Sequence, residues 1–269
     1  MKRTEYTEAN RLAWNEAARV HAAQNFAHLL EKFSVPGSSV LHKPHELERL
    51  GPLAFHGQAV AQVCCNNGRE LISIRNLGAG RCVGFDISDE FIVQARELNA
   101  AAHQDCEFVR SDAYAIPEKY RGNFGLVYLT VGALGWMPDL PSFIQVLVGL
   151  LQPGGALLIY EMHPFLDMLD PINQADPANP LELRHSYFKP DPFVDTGGLD
   201  YYSHQEYKSR PQYWFHHKLS DILGAVLGAG LVLKAFDEYP HDISAVFEHL
   251  ETLPVKGPMC YILEAHLPG

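Results

Sequence analysis

The chain has 269 residues, of which 47% are hydrophobic and 20% are charged, and its formal net charge is -11. This length allows one large domain or two small ones, with a core that needs neither disulfides nor metal ions for stability. The negative charge makes nucleic acid a poor partner, because a protein that binds phosphates needs the opposite sign.

The cysteines and the apolar stretches limit the class of protein further. The five cysteines contain no Cys-x-x-Cys pair, which argues against a zinc site or a disulfide scaffold, so we predict no metal site and reduced thiols in the cytoplasm. Charged residues at Glu5, Glu8 and Arg11 interrupt any signal-peptide pattern. No apolar stretch approaches the ~20 residues that a membrane span needs.

Helices come first along the chain. Up to about residue 50 the pattern is helical, with Ala22, Phe26, Leu29, Leu30 and Phe33 on one face. From residue 59 short apolar strands alternate with helical segments, which is typical of a parallel sheet covered by helices. The predicted strands of this region are Ala59–Cys65, Cys82–Asp86, Cys106–Val109, Phe124–Thr130 and Ala156–Tyr160.

Residues 164–211 interrupt this alternation. They are rich in proline, aspartate and aromatic residues, and two strands are predicted near Leu181–Phe188 and Leu199–Tyr207. The aromatic side chains could form a lid that binds a second molecule, or they could pack as a satellite core or a homodimer contact. A helix over 219–227 and strands at Leu231–Phe236 and Met259–Ala265 follow, the last of them antiparallel.

Polar residues follow several of these strands, at the sheet edge where open α/β proteins bind ligands. Asn66 and Gly68 lie in the turn after the first strand, and both residue types tolerate a left-handed backbone. Asp86 comes 18 residues after Gly68, which is close to the spacing at which an acid reaches the ribose hydroxyls of an adenosine-containing ligand. A tight turn followed by a helix-capping acid is the alternative interpretation.

The segment from Ala59 to Glu161 resembles a class I S-adenosylmethionine-dependent methyltransferase. The resemblance is carried by the turn at 65–68, the strand ends at 83–88 and 111–113, the strand at 124–128 and the Leu151–Leu158 stretch. Residues 13–18 also resemble the first helix of the ubiquinone-biosynthesis-type branch. The resemblance implies a Rossmann-like, seven-stranded, mostly parallel sheet with an antiparallel last strand and helices on both faces.

The alternation of strands and helices from residue 59 to about 265 favours a single domain, and the resemblance implies a set of cofactor contacts. We expect a single domain in 1–269, with a helical cap at 1–50, a cofactor-binding core at 59–163, a lid at 164–211 and the rest of the sheet at 212–269. Asp86 would bind the ribose hydroxyls of S-adenosylmethionine, and Asp112 would contact the adenine edge. The other implied cofactor contacts are Trp14, His21, Cys65, Asn66, Gly68, Ile87, Ala113, Leu129 and Thr130.

The turn after the first strand departs from the family pattern. Gln62 replaces an acid, and Cys64 and Asn66 replace the first two of three alternating glycines. This favours two alternatives to an enzyme, a cofactor-binding protein without activity and an inactive subunit of a larger assembly. A nicotinamide-dependent oxidoreductase is disfavoured, because a pyrophosphate needs the missing glycines.

Histidines are the candidates for acid–base chemistry on a methyl acceptor, which we predict to be a small molecule. His163 follows the fifth strand on the edge that faces the donor, and it is the predicted catalytic residue. A polar surface role is the alternative for this residue. His216 and His217 are weaker candidates, and no third ligand makes them a metal site.

Overall fold

The computed structural model describes residues 1–269, and its helices surround a central sheet. The first helix, α1, continues through a π-helical turn at Ala22–Phe26 directly into α2. The α-helices are α1 (Arg3–His21), α2 (Ala27–Phe33), α3 (Pro44–Ala54), α4 (Arg69–Asn76), α5 (Asp89–Ala101), α6 (Leu140–Leu150) and α7 (Leu219–Gly228). None of these helices combines the length and the apolar character that a membrane crossing needs.

Seven strands form one sheet in the order β3-β2-β1-β4-β5-β9-β8, and β6 and β7 form a separate two-stranded sheet. All pairings among the first five strands of that order are parallel, whereas β9 is antiparallel to both β5 and β8. The strands are β1 (Val60–Val63), β2 (Cys82–Asp86), β3 (Glu107–Arg110), β4 (Phe124–Leu129), β5 (Leu151–Met162), β6 (Phe193–Asp195), β7 (Gln212–Trp214), β8 (Val232–Tyr239) and β9 (Cys260–His266). The predicted mostly parallel, Rossmann-like sheet with an antiparallel last strand is confirmed.

Apolar strands place this sheet in the centre of the core. All four residues of β1 are buried, and two large clusters of apolar side chains lie on the two faces of the sheet, as expected for parallel strands covered by helices. The chain order reverses direction across the sheet between β1 and β4, because β2 and β3 lie on one side of β1 and β4 and β5 on the other. Ligands of open α/β sheets bind beside such a reversal.

The two strands predicted at Leu181–Phe188 and Leu199–Tyr207 are wrong, because these residues form turns and irregular backbone. Leu183 and Phe188 are exposed, so this segment has no apolar face to bury against a neighbouring strand. In the second segment the Asp200 carboxylate accepts hydrogen bonds from the backbone N–H groups of Tyr202 and Ser203, which stabilises a turn. The observed strands β6 and β7 lie outside both predicted ranges.

Helix α1 contacts β7 and thereby joins the N-terminal helices to the end of the 164–211 segment. The Asn10 amide donates to the Tyr213 carbonyl at 2.9 Å and accepts from the Tyr213 N–H at 2.8 Å. This pair of bonds imitates the pairing of a neighbouring strand. Helix α1 also contacts the 164–211 segment itself, where the Arg210 N–H donates to the Glu16 carboxylate at 2.9 Å, and both lie above the carboxyl ends of the parallel strands.

Candidate functional site

A cavity of about 680 Å³ lies at the carboxyl ends of the parallel strands, beneath α1 and the 164–211 segment. This volume falls within the ~300–1,000 Å³ typical of sites for small molecules. Residues that directly follow β1, β2, β3 and β4 all contribute to its walls. The cavity therefore occupies the position that the sheet topology favours for a ligand.

The turn after β1 adopts a left-handed backbone at three alternating positions, with φ values of 59° at Cys64, 51° at Asn66 and 74° at Gly68. A Cβ atom at Gly68 would lie 2.4 Å from the Phe108 ring, so only glycine fits there. The first two positions reach the same backbone conformation without glycine, at some cost in strain for cysteine. The left-handed backbone at these three positions therefore forms although two of the three residues are not glycine.

Asp86 ends β2 and lines the cavity beside this turn. One carboxylate oxygen accepts from the Asn66 N–H at 2.8 Å, and the other accepts from the Ser88 N–H at 2.8 Å. Burial raises the pKa of Asp86 to about 6, although the backbone N–H groups of Ser88 and Asn66 act in the opposite direction. The carboxylate is therefore fixed in orientation, and each oxygen keeps a further lone pair for a ligand.

Asp112 and Ala113 follow β3, and together with Ile87 they line the next part of the cavity. The Asp112 carboxylate accepts from the Tyr114 N–H at 2.9 Å and from the Thr7 hydroxyl of α1 at 2.9 Å. Apolar surfaces at Ile87 and Ala113 beside a fixed carboxylate suit a flat heterocycle that has an amino group on its edge.

The loop after β4 is held by a buried carboxylate that the sequence did not reveal. Glu161, in β5, accepts from the backbone N–H groups of Gly132 at 2.6 Å and Leu134 at 3.1 Å. Burial raises the pKa of Glu161 to about 7, against the effect of these N–H donors. Thr130 lines the cavity at the start of this loop, and its hydroxyl accepts a hydrogen bond from Gln62 at 3.1 Å.

The three tryptophans of the chain all line the cavity. The ring centroids of Trp14 and Trp136 are 5.2 Å apart, and those of Trp136 and Trp214 are 5.0 Å apart, with both pairs edge to face. We call these three side chains the tryptophan wall. Helix α1, the loop after β4 and β7 each contribute one member, so the wall joins three distant parts of the sequence.

Arg69 and Glu70 at the start of α4 also line the cavity, and sequence reasoning missed both. Their side chains form an ion pair at 2.7 Å, and Arg69 donates a hydrogen bond to the Tyr202 hydroxyl at 2.8 Å. Arg69 could have been identified from the sequence, because it directly follows Gly68 in the turn that was predicted to bind a ligand. Tyr202 had no comparable signal, because its position depends on the irregular 164–211 segment.

The structure brings most of the predicted cofactor contacts together and leaves four outside the cavity wall. The predicted residues that line the cavity are Trp14, Asn66, Asp86, Ile87, Asp112, Ala113 and Thr130. Cys65 and Leu129 are fully buried in the core, and Gly68 packs against Phe108. His21 is also buried, and its ring hydrogen-bonds the Leu199 carbonyl.

The predicted catalytic residue, His163, does not line this cavity. It lies at a small adjoining cavity, where its Nε2 is 2.9 Å from a Glu238 carboxylate oxygen on β8 and its Nδ1 accepts from the Phe165 N–H. Burial lowers the pKa of His163, although Glu238 acts in the opposite direction. The observed contacts therefore give His163 a structural role, and the catalytic assignment gains no support from its position.

His216 and His217 are likewise occupied by other contacts. The His216 Nδ1 is 2.8 Å from the Asp167 carboxylate, and the His217 Nε2 is 2.8 Å from the Met137 carbonyl. Neither histidine lines the main cavity, whereas their partners Asp167 and Met137 do. Asp167 also accepts a hydrogen bond from the Trp214 indole at 3.0 Å, so a fixed carboxylate lies at one end of the tryptophan wall.

Comparison with known proteins agrees with this geometry. Residues 60–155 match the model of a family described as a methyltransferase domain. The matched segment begins with β1 and ends within β5, so it contains the turn after β1 and the ends of β2, β3 and β4. The chain has the fold of the S-adenosylmethionine-dependent methyltransferases.

Solved structures of S-adenosylmethionine-dependent methyltransferases share this fold. An S-adenosylmethionine-dependent methyltransferase from Mesorhizobium loti matches with a TM-score of 0.55 and 17% identity, covering 82% of this chain and 96% of that one. A geranyl diphosphate C-methyltransferase from Streptomyces coelicolor, solved with Mg²⁺, geranyl diphosphate and S-adenosyl-L-homocysteine, matches with a TM-score of 0.56 and 13% identity over 82% of this chain and 78% of that one. At 17% and 13% identity these matches show a shared fold and nothing further.

Proposed function

We propose that the chain transfers a methyl group from S-adenosylmethionine to a small-molecule acceptor in the cytoplasm. The observation that carries this proposal is the pairing of Asp86 with the left-handed turn after β1, in the wall of the cavity. A carboxylate held by the backbone of that turn presents two acceptor oxygens to a diol. The five cysteines are free, which agrees with a reducing compartment.

The residues around the cavity fit the parts of S-adenosylmethionine. Asp86 would accept hydrogen bonds from the ribose hydroxyls, and Ile87 and Ala113 would cover the faces of the adenine, with Asp112 at its amino edge. Arg69 is the cation that lines this end of the cavity, so it would pair with the carboxylate of the methionine part. The altered turn then needs no acid at position 62, because Glu70 supplies a carboxylate for the amino group.

The chemistry asks little of the chain beyond positioning. S-adenosylmethionine supplies a methyl group that is already activated by its sulfonium. The acceptor's lone pair forms the new bond to the methyl carbon while the carbon–sulfur bond breaks, its electron pair stays on sulfur, and the acceptor releases a proton. The chain aligns the acceptor with the methyl group and excludes water, which is the function we propose for α1 and the 164–211 segment above the cavity.

A thermal-shift panel with the purified chain tests the cofactor. S-adenosylhomocysteine should raise the melting temperature, because a ligand that binds only the folded state stabilises it, whereas NAD⁺ and NADP⁺ should not. Stabilisation by a nicotinamide dinucleotide alone would refute the proposal.

A cofactor-binding protein without activity is the second candidate, and Gln62 and Cys64 in the turn after β1 favour it. The two candidates make the same prediction for S-adenosylhomocysteine, so binding does not separate them. Incubation of the chain with methyl-labelled S-adenosylmethionine and a metabolite extract separates the two candidates. Label in a small product supports the enzyme, and binding without any transfer across extracts from several growth conditions supports the second candidate.

A further inference from the structure

The cavity extends well beyond the residues that would hold the cofactor. A second region is formed by the tryptophan wall, by the loop after β5 and by the segment before β9. Apolar side chains dominate this region, and its members include Leu169, Phe193, Val246 and Phe247. A methyl acceptor has to occupy this space, so its lining reports on the acceptor's chemistry.

The tryptophan wall offers flat apolar surface in a fixed position. A Cβ atom at Gly135 would lie 2.3 Å from the Trp214 ring, so this ring rests directly on the backbone of the loop after β4. The Phe215 N–H donates to the Gly135 carbonyl at 2.6 Å, which joins the same two segments. Trp136 and Trp214 are both half-buried and both line the cavity, so part of each indole is accessible to a ligand.

Asp167 gives the second region its polar contact. Its carboxylate accepts from the Trp214 indole at 3.0 Å and is 2.8 Å from the His216 Nδ1. No lysine or arginine pairs with it within salt-bridge distance. Two lone pairs on each carboxylate oxygen leave capacity for a further donor, so Asp167 suits an amine or a hydroxyl of a bound molecule.

The charge of the cavity is unfavourable for an acidic methyl acceptor. Arg69 is the one lysine or arginine among the lining residues; it is paired with Glu70 at 2.7 Å, and in the proposed function it binds the carboxylate of the cofactor. The lining carboxylates are Glu70, Asp86, Asp112, Asp167, Asp195, Asp200 and Glu206. An acceptor with a carboxylate or phosphate would meet like charges and no free cation, which is unfavourable in a partly buried site.

From these observations we propose that the methyl acceptor is a flat aromatic molecule that carries an amine or hydroxyl group and no anionic group. Its ring lies against Trp136 and Trp214, and its donor group faces Asp167. A protonated amine gains a further attraction from the indole faces. This inference rests on the proposed function, because it assigns the second region of the cavity to the acceptor of the methyl group.

A set of matched probes tests the inference by isothermal titration of the full chain saturated with S-adenosylhomocysteine. Tryptamine, indole and indole-3-acetate share one ring system and differ in charge, and hexylamine has the charge without the ring. Tryptamine should bind at least tenfold more tightly than indole-3-acetate or hexylamine, with indole in between. Equal or tighter binding of indole-3-acetate or hexylamine, or no measurable binding of any indole, would overturn the inference.

Two variants test whether Asp167 binds the amine of tryptamine. Asp167→Asn should weaken tryptamine at least tenfold and leave indole nearly unchanged, whereas Glu97→Gln removes an exposed carboxylate of α5 that does not line the cavity and should change both less than twofold. Equal effects of the two variants would overturn the assignment of Asp167. Retention of S-adenosylhomocysteine binding by both variants shows that they fold. If the unmodified chain fails to bind S-adenosylhomocysteine while tryptamine still binds, the proposed function fails. The inferred preference of the cavity for an aromatic amine then stands on its own.

Discussion

Replacing Asp86 with alanine removes the carboxylate that we propose as the ribose contact. In the structure each of its oxygens already accepts one backbone N–H, from Asn66 and from Ser88, both at 2.8 Å. These bonds fix the carboxylate before any ligand arrives, so little ordering of this side chain is needed on binding. The substitution therefore removes a preorganised pair of acceptors.

The size of the effect follows from the hydrogen bonds that are lost. A hydrogen bond to a charged group contributes about 1.5–3 kcal/mol, and two ribose hydroxyls make two such bonds, or about 3–6 kcal/mol together. Since about 1.4 kcal/mol corresponds to a factor of ten, Asp86→Ala should weaken S-adenosylhomocysteine by about 100-fold or more. Asp86→Asn keeps one acceptor oxygen and should lose less.

The assay is isothermal titration with S-adenosylhomocysteine at pH 7.5, with circular dichroism to confirm that each variant folds. Asp105→Ala is the control, because this exposed carboxylate precedes β3, at the opposite edge of the sheet; its affinity should stay within twofold of the unmodified chain. An Asp86→Ala variant that is folded and binds within threefold of the unmodified chain would refute the proposed ribose contact.

Three further predictions concern the same cavity. Because burial raises the pKa of Asp86 to about 6 and the ribose binds the ionised form, the affinity for S-adenosylhomocysteine should fall as the pH drops below about 6, and Asp86→Asn should show no such fall. Glu161 has a pKa of about 7 when folded against 4.5 as its ordinary value, so its contribution to stability is present below pH 4.5 and is lost as the pH rises through 7. Between about pH 5 and 8 the free energy of unfolding of the unmodified chain should drop by about 2–3 kcal/mol relative to Glu161→Gln, and parallel urea titrations that show no difference would contradict this. Gly135→Ala should displace the Trp214 ring, destabilise the chain by about 1–3 kcal/mol and move the tryptophan emission to longer wavelength, whereas an unchanged spectrum would contradict the contact.

Parallel strands made the donor end of the cavity predictable from the sequence. Buried strands at 60–63 and 82–86 appear as short apolar runs, and residues at their carboxyl ends meet at one edge of the sheet. Asp86, Asp112 and Thr130 could therefore be assigned to one site before any coordinates were known. Cys65, in the turn after β1, and Leu129, at the end of β4, lie outside the cavity wall because their side chains are fully buried in the core.

The acceptor end could not be predicted in the same way. Residues 164–211 are held by side-chain-to-backbone hydrogen bonds of Asp195 and Asp200 and by the long-range bond between Arg69 and Tyr202. None of these has a periodic signature, and the two strands predicted there are wrong. His163 follows β5 at the expected edge of the sheet but lies outside the main cavity, because its side chain pairs with Glu238 on β8, a contact that depends on the order of the strands in the sheet.

A crystal structure of the chain grown with S-adenosylhomocysteine tests the central claim most directly. We expect the ribose hydroxyls within hydrogen-bond distance of the Asp86 carboxylate, the adenine beside Ile87 and Ala113, and the sulfur open toward the tryptophan wall. A ligand bound elsewhere on the chain, or an adenosine that leaves Asp86 without a contact in this cavity, would contradict it.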